Sequence, residues 1–539
     1  MTVAQRPPVH GGHGACAFLA RARLSLSGNL FDAFLALAAV VLFLLLKDIP
    51  LGHDQSWYLI SVQKILAGAR PYIDVIELNP PLNFYLVMPA IYLADLLGVR
   101  SDPVFIGYVI LLSFVSTVWA RRVLLKIPSI PPAHANIAAG VALLSTTALV
   151  VFDFGQRDVM MVVFTLPYLA LAMRRIEGDA VPPLGAAAVG LWAALGICLK
   201  HYFLVFPIAT EIALYLKRRR VLGLFRPEVI TVGVACVAYA LAVVVLFPAY
   251  LETIVPLAQL TYFAYGIHFP LTLLCAETVA FPLVFGGYLV MRRHDGVGPW
   301  LDMLGAWTVA AFISYAIQNR GFTYHADPLR IMLVFTAVSL VARKFEVPFR
   351  LSRICMVAAL ALVAFRVAVL GFYEDQWASV TAKKLERYDV RGGLYTFTAH
   401  VFIGFPLANR IDGPWDSRFP CLWPVPGVQR ILATPQNFTA EQVAAAEKAD
   451  RYMTDAVIED FERRRPSIVI VDARKDKSYF DGVAFDYVAH FKRDPRFARL
   501  WSEYRLVENY RGFEIWRRGA GGGAAAAPVG DDPQRSSRD

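Results

Sequence analysis

Asp54 follows directly on the first long apolar run, inside Gly52-His53-Asp54-Gln55-Ser56-Trp57-Tyr58. A carboxylate in that position can take a proton from an attacking hydroxyl, the work of a general base, or it can cap the helix that follows. Arg157, Lys200 and Arg320 each stand at an end of another apolar run. Each can hold an anion, or can lay its stem in the apolar phase with its head at the interface. A cation about 4 Å from a unit anion is worth on the order of 4 kcal/mol at an effective dielectric near 20, before desolvation. Asp158 and His325, at helix ends on the same face, can ligate a divalent metal ion or contact a second substrate, and so can His201 beside Lys200. Carboxylate and imidazole on separate loops serve equally in ordinary hydrogen bonds. Asp74 and Glu77, between Pro71 and Pro80-Pro81, can bind a polar ligand or remain solvated.

Charges this sparse must be held by apolar elements. Of 539 residues, 57% are hydrophobic and 18% charged, with a mean hydropathy of +0.48. The apolar residues gather in runs separated by basic clusters, which is a membrane composition. A hydrocarbon core of about 30 Å takes roughly 20 apolar residues per helix. The runs predict about eleven spans, near 30–46, 103–120, 136–152, 158–173, 183–199, 202–216, 229–248, 271–291, 300–318, 328–342 and 354–371. No small-residue cleavage site follows the first run, so it reads as an uncleaved helix rather than a signal peptide.

With the N-terminus inside, Arg21 and Arg23, Arg121 and Arg122, Arg174 and Arg175, Lys217 to Arg220, Arg292 and Arg293, and Arg343 and Lys344 all fall on the cytoplasmic side. This orientation accounts for the net charge of +10. The basic residues form no interleaved basic and aromatic surface, which argues against a nucleic-acid partner. The opposite loops carry isolated charges of mixed sign, the pattern of a site at one membrane face. In the first of them, residues 47–102, the short apolar stretch Asn83 to Gly98 predicts a helix lying in the interface.

The chain divides into a cytoplasmic tail (1–29), a transmembrane domain (30–372), a polar globular domain (373–518) and a disordered tail (519–539). In the globular part, Thr439-Ala440-Glu441-Gln442 signals a capped helix and Ile468 to Val471 a buried strand, which predicts an α/β or α+β fold. Only Cys421 falls in that part, and no disulfide framework or paired-cysteine metal motif is present.

Gly52 to Tyr58, Gly68-Ala69-Arg70-Pro71-Tyr72 and Asn79-Pro80-Pro81-Leu82-Asn83-Phe84-Tyr85 together resemble the GT-C superfamily of polyprenyl-phosphate-sugar-dependent glycosyltransferases. That superfamily includes the protein O-mannosyltransferases and the lipid A aminoarabinose transferases. Gly155-Gln156-Arg157-Asp158, Leu199-Lys200 and Arg320 to His325 extend the resemblance. The chain departs from it at Gln55, where many members carry Glu, and at Asn79, where many carry Lys.

The resemblance implies a polytopic helical enzyme with an extracytoplasmic C-terminal domain, in a bacterial inner membrane among its lipids. It would move a sugar from a polyprenyl-phosphate donor to a hydroxyl of a lipid, glycan such as lipopolysaccharide, or protein. Asp54 would be the base and Lys200, Arg157 and Arg320 the donor-phosphate contacts. The aromatic stretch Trp415 to Trp423 would then stack on sugars, rest on the membrane or pack a core. A secondary transporter or lipid flippase is the rival reading; it would place charges at the midplane of repeated halves, and no repeat is present.

Overall fold

Several helices of this chain open on proline, and the helices Ser101–Leu124 and Arg157–Glu177 close on paired arginine. The computed structural model describes residues 13–178, 180–219, 225–294, 298–345 and 376–519. Its membrane part comprises α1 (His13–Leu46), α2 (His53–Leu66), α3 (Leu82–Leu97), α4 (Ser101–Leu124), α5 (Pro132–Ser145), α6 (Arg157–Glu177), α7 (Pro183–Ile197), α8 (Val205–Arg218), α9 (Pro227–Leu246), α10 (Val255–Thr261), α11 (Ala276–His294), α12 (Pro299–Gln318) and α13 (Asp327–Phe345). Pro183, Pro227 and Pro299 stand at the first turn of α7, α9 and α12, where a missing N–H is not felt. α4 and α6 carry Asp in the first turn and paired Arg in the last, each sign matched to the helix dipole.

Among the described residues, six helices are long and apolar enough to cross a membrane: Asn29–Leu46, Ser101–Leu124, Arg157–Glu177, Pro227–Leu246, Pro299–Gln318 and Thr323–Arg343. The chain is an integral membrane protein. The spans expected at 136–152 and 183–199 fall on α5 and α7, of 14 and 15 residues, and the span at 202–216 on α8 with the 3-10 turn His201–Leu204 that leads into it. At 1.5 Å per residue α5 and α7 rise about 21–23 Å, less than the hydrocarbon core. The span expected at 271–291 falls on α11, of 19 residues. The span at 354–371 and the tail from 520 lie outside the described residues. α1 begins within the stretch read as the cytoplasmic tail.

α6 is the axis of the bundle, buried from Arg157 to Met173. α7 reaches it through Gly196, where an added Cβ would lie 2.9 Å from the Met161 carbonyl oxygen. A glycine at this contact allows the backbones to approach. α9 instead exposes Val234, Val237, Leu241, Val244 and Leu246, a face suited to lipid. The basic helix ends gather opposite the loop-rich end and pair there: Arg121 with Asp32 at 2.7 Å, Arg175 with Glu228 at 2.8 Å and Arg292 with Asp302 at 3.0 Å.

The C-terminal part is α+β. β1 (Leu394–Phe397), β2 (Ile468–Asp472), β3 (Tyr504–Tyr510) and β4 (Phe513–Arg518) form one sheet in the order β1-β2-β4-β3. β1 and β2 are parallel and fully buried, with Thr396 opposite Ile470, while β4 runs antiparallel to both neighbours. The crossover between β1 and β2 contains the helix Ala440–Arg464, and the expected capping box of Thr439 and Gln442 forms at its start. This part sits on residues 47–102 through Lys64 Nζ donating to the Ser417 carbonyl (2.7 Å) and Ile76 N donating to the Arg418 carbonyl (2.7 Å). Asn409 Nδ2 donates to the Ser56 carbonyl (3.1 Å), and Tyr265 OH to the Ala399 carbonyl (3.1 Å).

Candidate functional site

The loop-rich end encloses two adjoining cavities, of about 570 and 620 Å³, that share Leu78, Asn79, Arg157, Tyr262 and Tyr324 as walls. Asp54 and Glu77 line the first, Lys200, His201, Arg320 and His325 the second, and Arg157 faces both. Residues far apart in sequence meet here because α2, the loop before α3, the N-terminus of α6, the loop after α7 and the turn before α13 all end on one side.

Asp54 lies in the first turn of α2, but the N-cap position is Gly52 and no side chain caps the helix. The Asp54 carboxylate instead accepts from Gln156 Nε2 at 2.7 Å, and Gln156 Oε1 accepts from Tyr58 OH at 2.9 Å. His53 Nε2 lies 3.4 Å from the other Asp54 oxygen. Helix capping is therefore not what Asp54 does. Gln55, one of the two departures from the family pattern, donates to the carbonyls of Phe152 (3.2 Å) and Phe154 (2.9 Å), tying the segment before α6 to α2.

Glu77 is buried and accepts from Trp57 Nε1 (2.8 Å), Asn79 Nδ2 (2.7 Å) and Arg157 Nη1 (3.3 Å). Asn79, the other departure, thus holds a carboxylate in place. The Arg157 guanidinium lies over the Tyr58 ring at 5.2 Å and keeps Nε without a partner. Lys200 Nζ donates to Asp158 Oδ2 (2.6 Å) and Gln318 Oε1 (3.3 Å), close to the Tyr324 ring. Arg320 lies over the Tyr262 ring at 5.0 Å, and among the described residues no carboxylate pairs with it.

Asp158 is wholly buried behind Lys200, and one of its oxygens, like His325 Nδ1, has no partner. His201 is exposed at the cavity wall. Asp74 is not brought to the site: it closes a turn on Arg70 at 2.8 Å and approaches Arg463 of the C-terminal part at 4.0 Å. Among the described residues no group of three or more His, Cys, Asp or Glu side chains is placed to hold a metal ion, and Asp158 and His325 form no such set.

Asp153, close to Arg157 and Asp158 in sequence, lines neither cavity; burial pushes its carboxyl up to about 7, against the nearby Arg330. Of the roof, sequence reasoning reached only Cys421 and Trp423, within the aromatic stretch. Ala399, His400, Phe402, Cys421, Trp423 and Tyr479 of the C-terminal part close the first cavity. Burial takes the His400 imidazole down to about 4, so this roof is uncharged at neutral pH.

Fold and site together define an integral membrane protein with a small C-terminal sheet over the loop-rich end of its helical bundle. Among solved structures, seven chains match; one is ArnT from Cupriavidus metallidurans bound to undecaprenyl phosphate, with a TM-score of 0.50 at 14% identity over 91% of this chain and 98% of that one. The fold thus agrees with the resemblance carried by the motifs. No family model matches the chain, and no curated protein matches it in sequence.

Proposed function

We propose that this chain is an inverting glycosyltransferase that moves a sugar from a polyprenyl-phosphate donor to a hydroxyl acceptor at the outer face of a bacterial inner membrane. The observation that carries the reading is the pair of cavities meeting at Arg157, one lined by Asp54 and the other by Lys200 and Arg320. ArnT, which shares the fold, is described with undecaprenyl phosphate bound. In this reading the donor phosphate rests among Arg157, Lys200 and Arg320, and the sugar C1 lies between the two cavities.

The acceptor hydroxyl attacks C1 from the face opposite the phosphate and gives its proton to Asp54. A new C1–O bond forms, and the electrons of the broken bond leave on the phosphate oxygen, where the cations stabilise them. One displacement inverts C1 and needs no second carboxylate as nucleophile. Glu77 stays occupied by Arg157, Trp57 and Asn79, so its role is to position the arginine. Residues 30–372 are the catalytic membrane domain, and 373–518 form a periplasmic lid.

Mass spectrometry of envelope lipids and glycans from deletion and wild-type cells tests this. Loss of one hexose, pentose or uronic acid mass from a defined species, restored by the gene, is the expected result. An unchanged envelope, together with no release of undecaprenyl phosphate from any polyprenyl-phosphate sugar by the purified protein, would refute it.

A further inference from the structure

The roof of the Asp54 cavity is a run of rings. Phe402 and His400 lie 4.5 Å apart, His400 and Tyr479 4.8 Å, Tyr479 and Tyr265 4.1 Å, Tyr265 and Tyr262 5.1 Å, and Tyr262 and Trp423 6.2 Å. Tyr262 and Tyr265 come from the membrane part and the others from the C-terminal part, so the arc exists only while the two parts are docked. Tyr265 OH donating to the Ala399 carbonyl fixes that seam.

Trp423 adds an observation independent of the rings. It is 5% exposed, it lines the cavity, and its Nε1–H has no hydrogen-bond partner. Indole is a donor only, and a buried donor left unpaired costs about 1–3 kcal/mol. Other buried donors of this chain are unpartnered too, Trp501 Nε1 among them, and Trp423 is set apart from Trp501 by lining the cavity.

The chemistry of the wall selects the ligand. Aromatic faces carry negative potential and attract the weakly positive C–H faces of a pyranose ring. The roof contributes no charged side chain, while Lys200 and Arg320 line the other cavity and Arg157 stands between the two. A neutral polyhydroxyl fits the roof's surface. A serine or threonine side chain is too small to span an arc of this length.

We propose that the C-terminal roof is the acceptor subsite, that it takes a neutral sugar ring, and that Trp423 Nε1 donates to one of that ring's oxygens while a neighbouring hydroxyl faces Asp54. The acceptor is then a glycan, free or lipid-linked, rather than a protein side chain. This inference rests on the transferase reading for which ligand is the acceptor, but the subsite itself can be tested without turnover.

The experiment is saturation-transfer NMR on the full-length chain in phosphatidylglycerol and phosphatidylcholine nanodiscs. The probes are the methyl pyranosides of glucose, mannose and galactose, with N-acetylserine amide for comparison. Binding of undecaprenyl phosphate is measured on the same samples. At least one pyranoside should receive saturation in the wild type. Trp423→Phe, which keeps a ring and deletes the donor, should weaken its binding roughly tenfold, the worth of one hydrogen bond. Tyr479→Leu should abolish the transfer, with undecaprenyl phosphate binding retained in both variants.

No transfer to any pyranoside, equal transfer in wild type and both variants, or Trp423-dependent transfer to the serine amide alone overturns the proposal. If pyranosides bind as expected and undecaprenyl phosphate does not bind the wild type, the donor half of the proposed function falls and the subsite stands.

Discussion

The two ends of the helical bundle treat buried charge in opposite ways. At the basic end the buried ions among the described residues are answered: Glu228 accepts two bonds from Arg175 at 2.8 and 2.9 Å, and Arg121 bonds Asp32 and Asn136. At the loop-rich end Arg157 Nε, one Asp158 oxygen, His325 Nδ1 and Trp423 Nε1 are buried without partners, and Arg320 has an aromatic face in place of a carboxylate. Pairs of the first kind orient and hold a helix end. Groups of the second kind are kept in place by the rest of the fold; unpartnered atoms also occur elsewhere, as at Asn136 Nδ2 and Trp501 Nε1, and what singles out Arg157, His325 and Trp423 is that they line the two cavities.

The sharpest contrast pairs Arg157 with Glu228. Arg157→Ala removes a cation from both cavities and leaves Glu77 buried without its charge partner. It should lower transfer by about 100- to 1,000-fold, the range for losing a preorganised charge stabiliser, and should lower thermal stability as well. Glu228→Gln should lower stability alone, with an unchanged rate per folded molecule by active-site titration. A rate loss in Glu228→Gln equal to that in Arg157→Ala would erase the distinction between the ends.

Next in size are Lys200→Ala and Arg320→Ala. Each should raise the donor KM roughly 10- to 100-fold, as expected for a hydrogen bond to a charged group, with smaller effects on protein abundance. If both touch one phosphate, the double variant departs from the sum of the single effects; clean additivity would return the two residues to an interfacial role.

The smallest effect concerns the seam between the parts. Burial pushes the Asp416 carboxyl, next to Lys64 and Ser417, from 3.8 up to about 7. A raised folded value means the native state holds the proton more tightly. Stability from this group is therefore present at low pH and is lost as pH rises from about 4 to 7. Tm should fall across that window, by about 2–4 °C per kcal/mol lost, and Asp416→Asn should flatten the profile. An unchanged slope in Asp416→Asn would remove Asp416 from the seam's pH response.

Much of the site was legible because charge is rare in an apolar chain. Asp54, Arg157, Lys200 and Arg320 stood out against long runs of Leu, Val and Ala, and the structure brings them around the two cavities. Asp74 stood out for the same reason, but Arg70 four residues before it was the signal of a local turn pair. Gln55 read as a lost acid, and only the fold shows it bonded to the Phe152 and Phe154 carbonyls.

The roof was not legible, because a buried aromatic facing a cavity and one facing a core have the same sequence. In the stretch from Trp415 to Trp423, Trp415 Nε1 donates to the Phe419 carbonyl inside the domain core, while Trp423 lines the cavity. Some apolar runs continue past the end of the helix they contain. α7 stops at Ile197 and Cys198 just before Lys200, whose side chain then turns into the site.

The most direct test of the account is turnover by purified Asp54→Asn with a polyprenyl-phosphate sugar and its acceptor. Asn keeps the oxygen that accepts from Gln156 Nε2 and cannot take a proton. The variant should stay folded and membrane-inserted, bind undecaprenyl phosphate nearly as the wild type does, and turn over about 100-fold or more slower, the scale for losing a general base. Wild-type turnover by Asp54→Asn would contradict the assignment of Asp54 as the base and with it the division of labour between the two cavities.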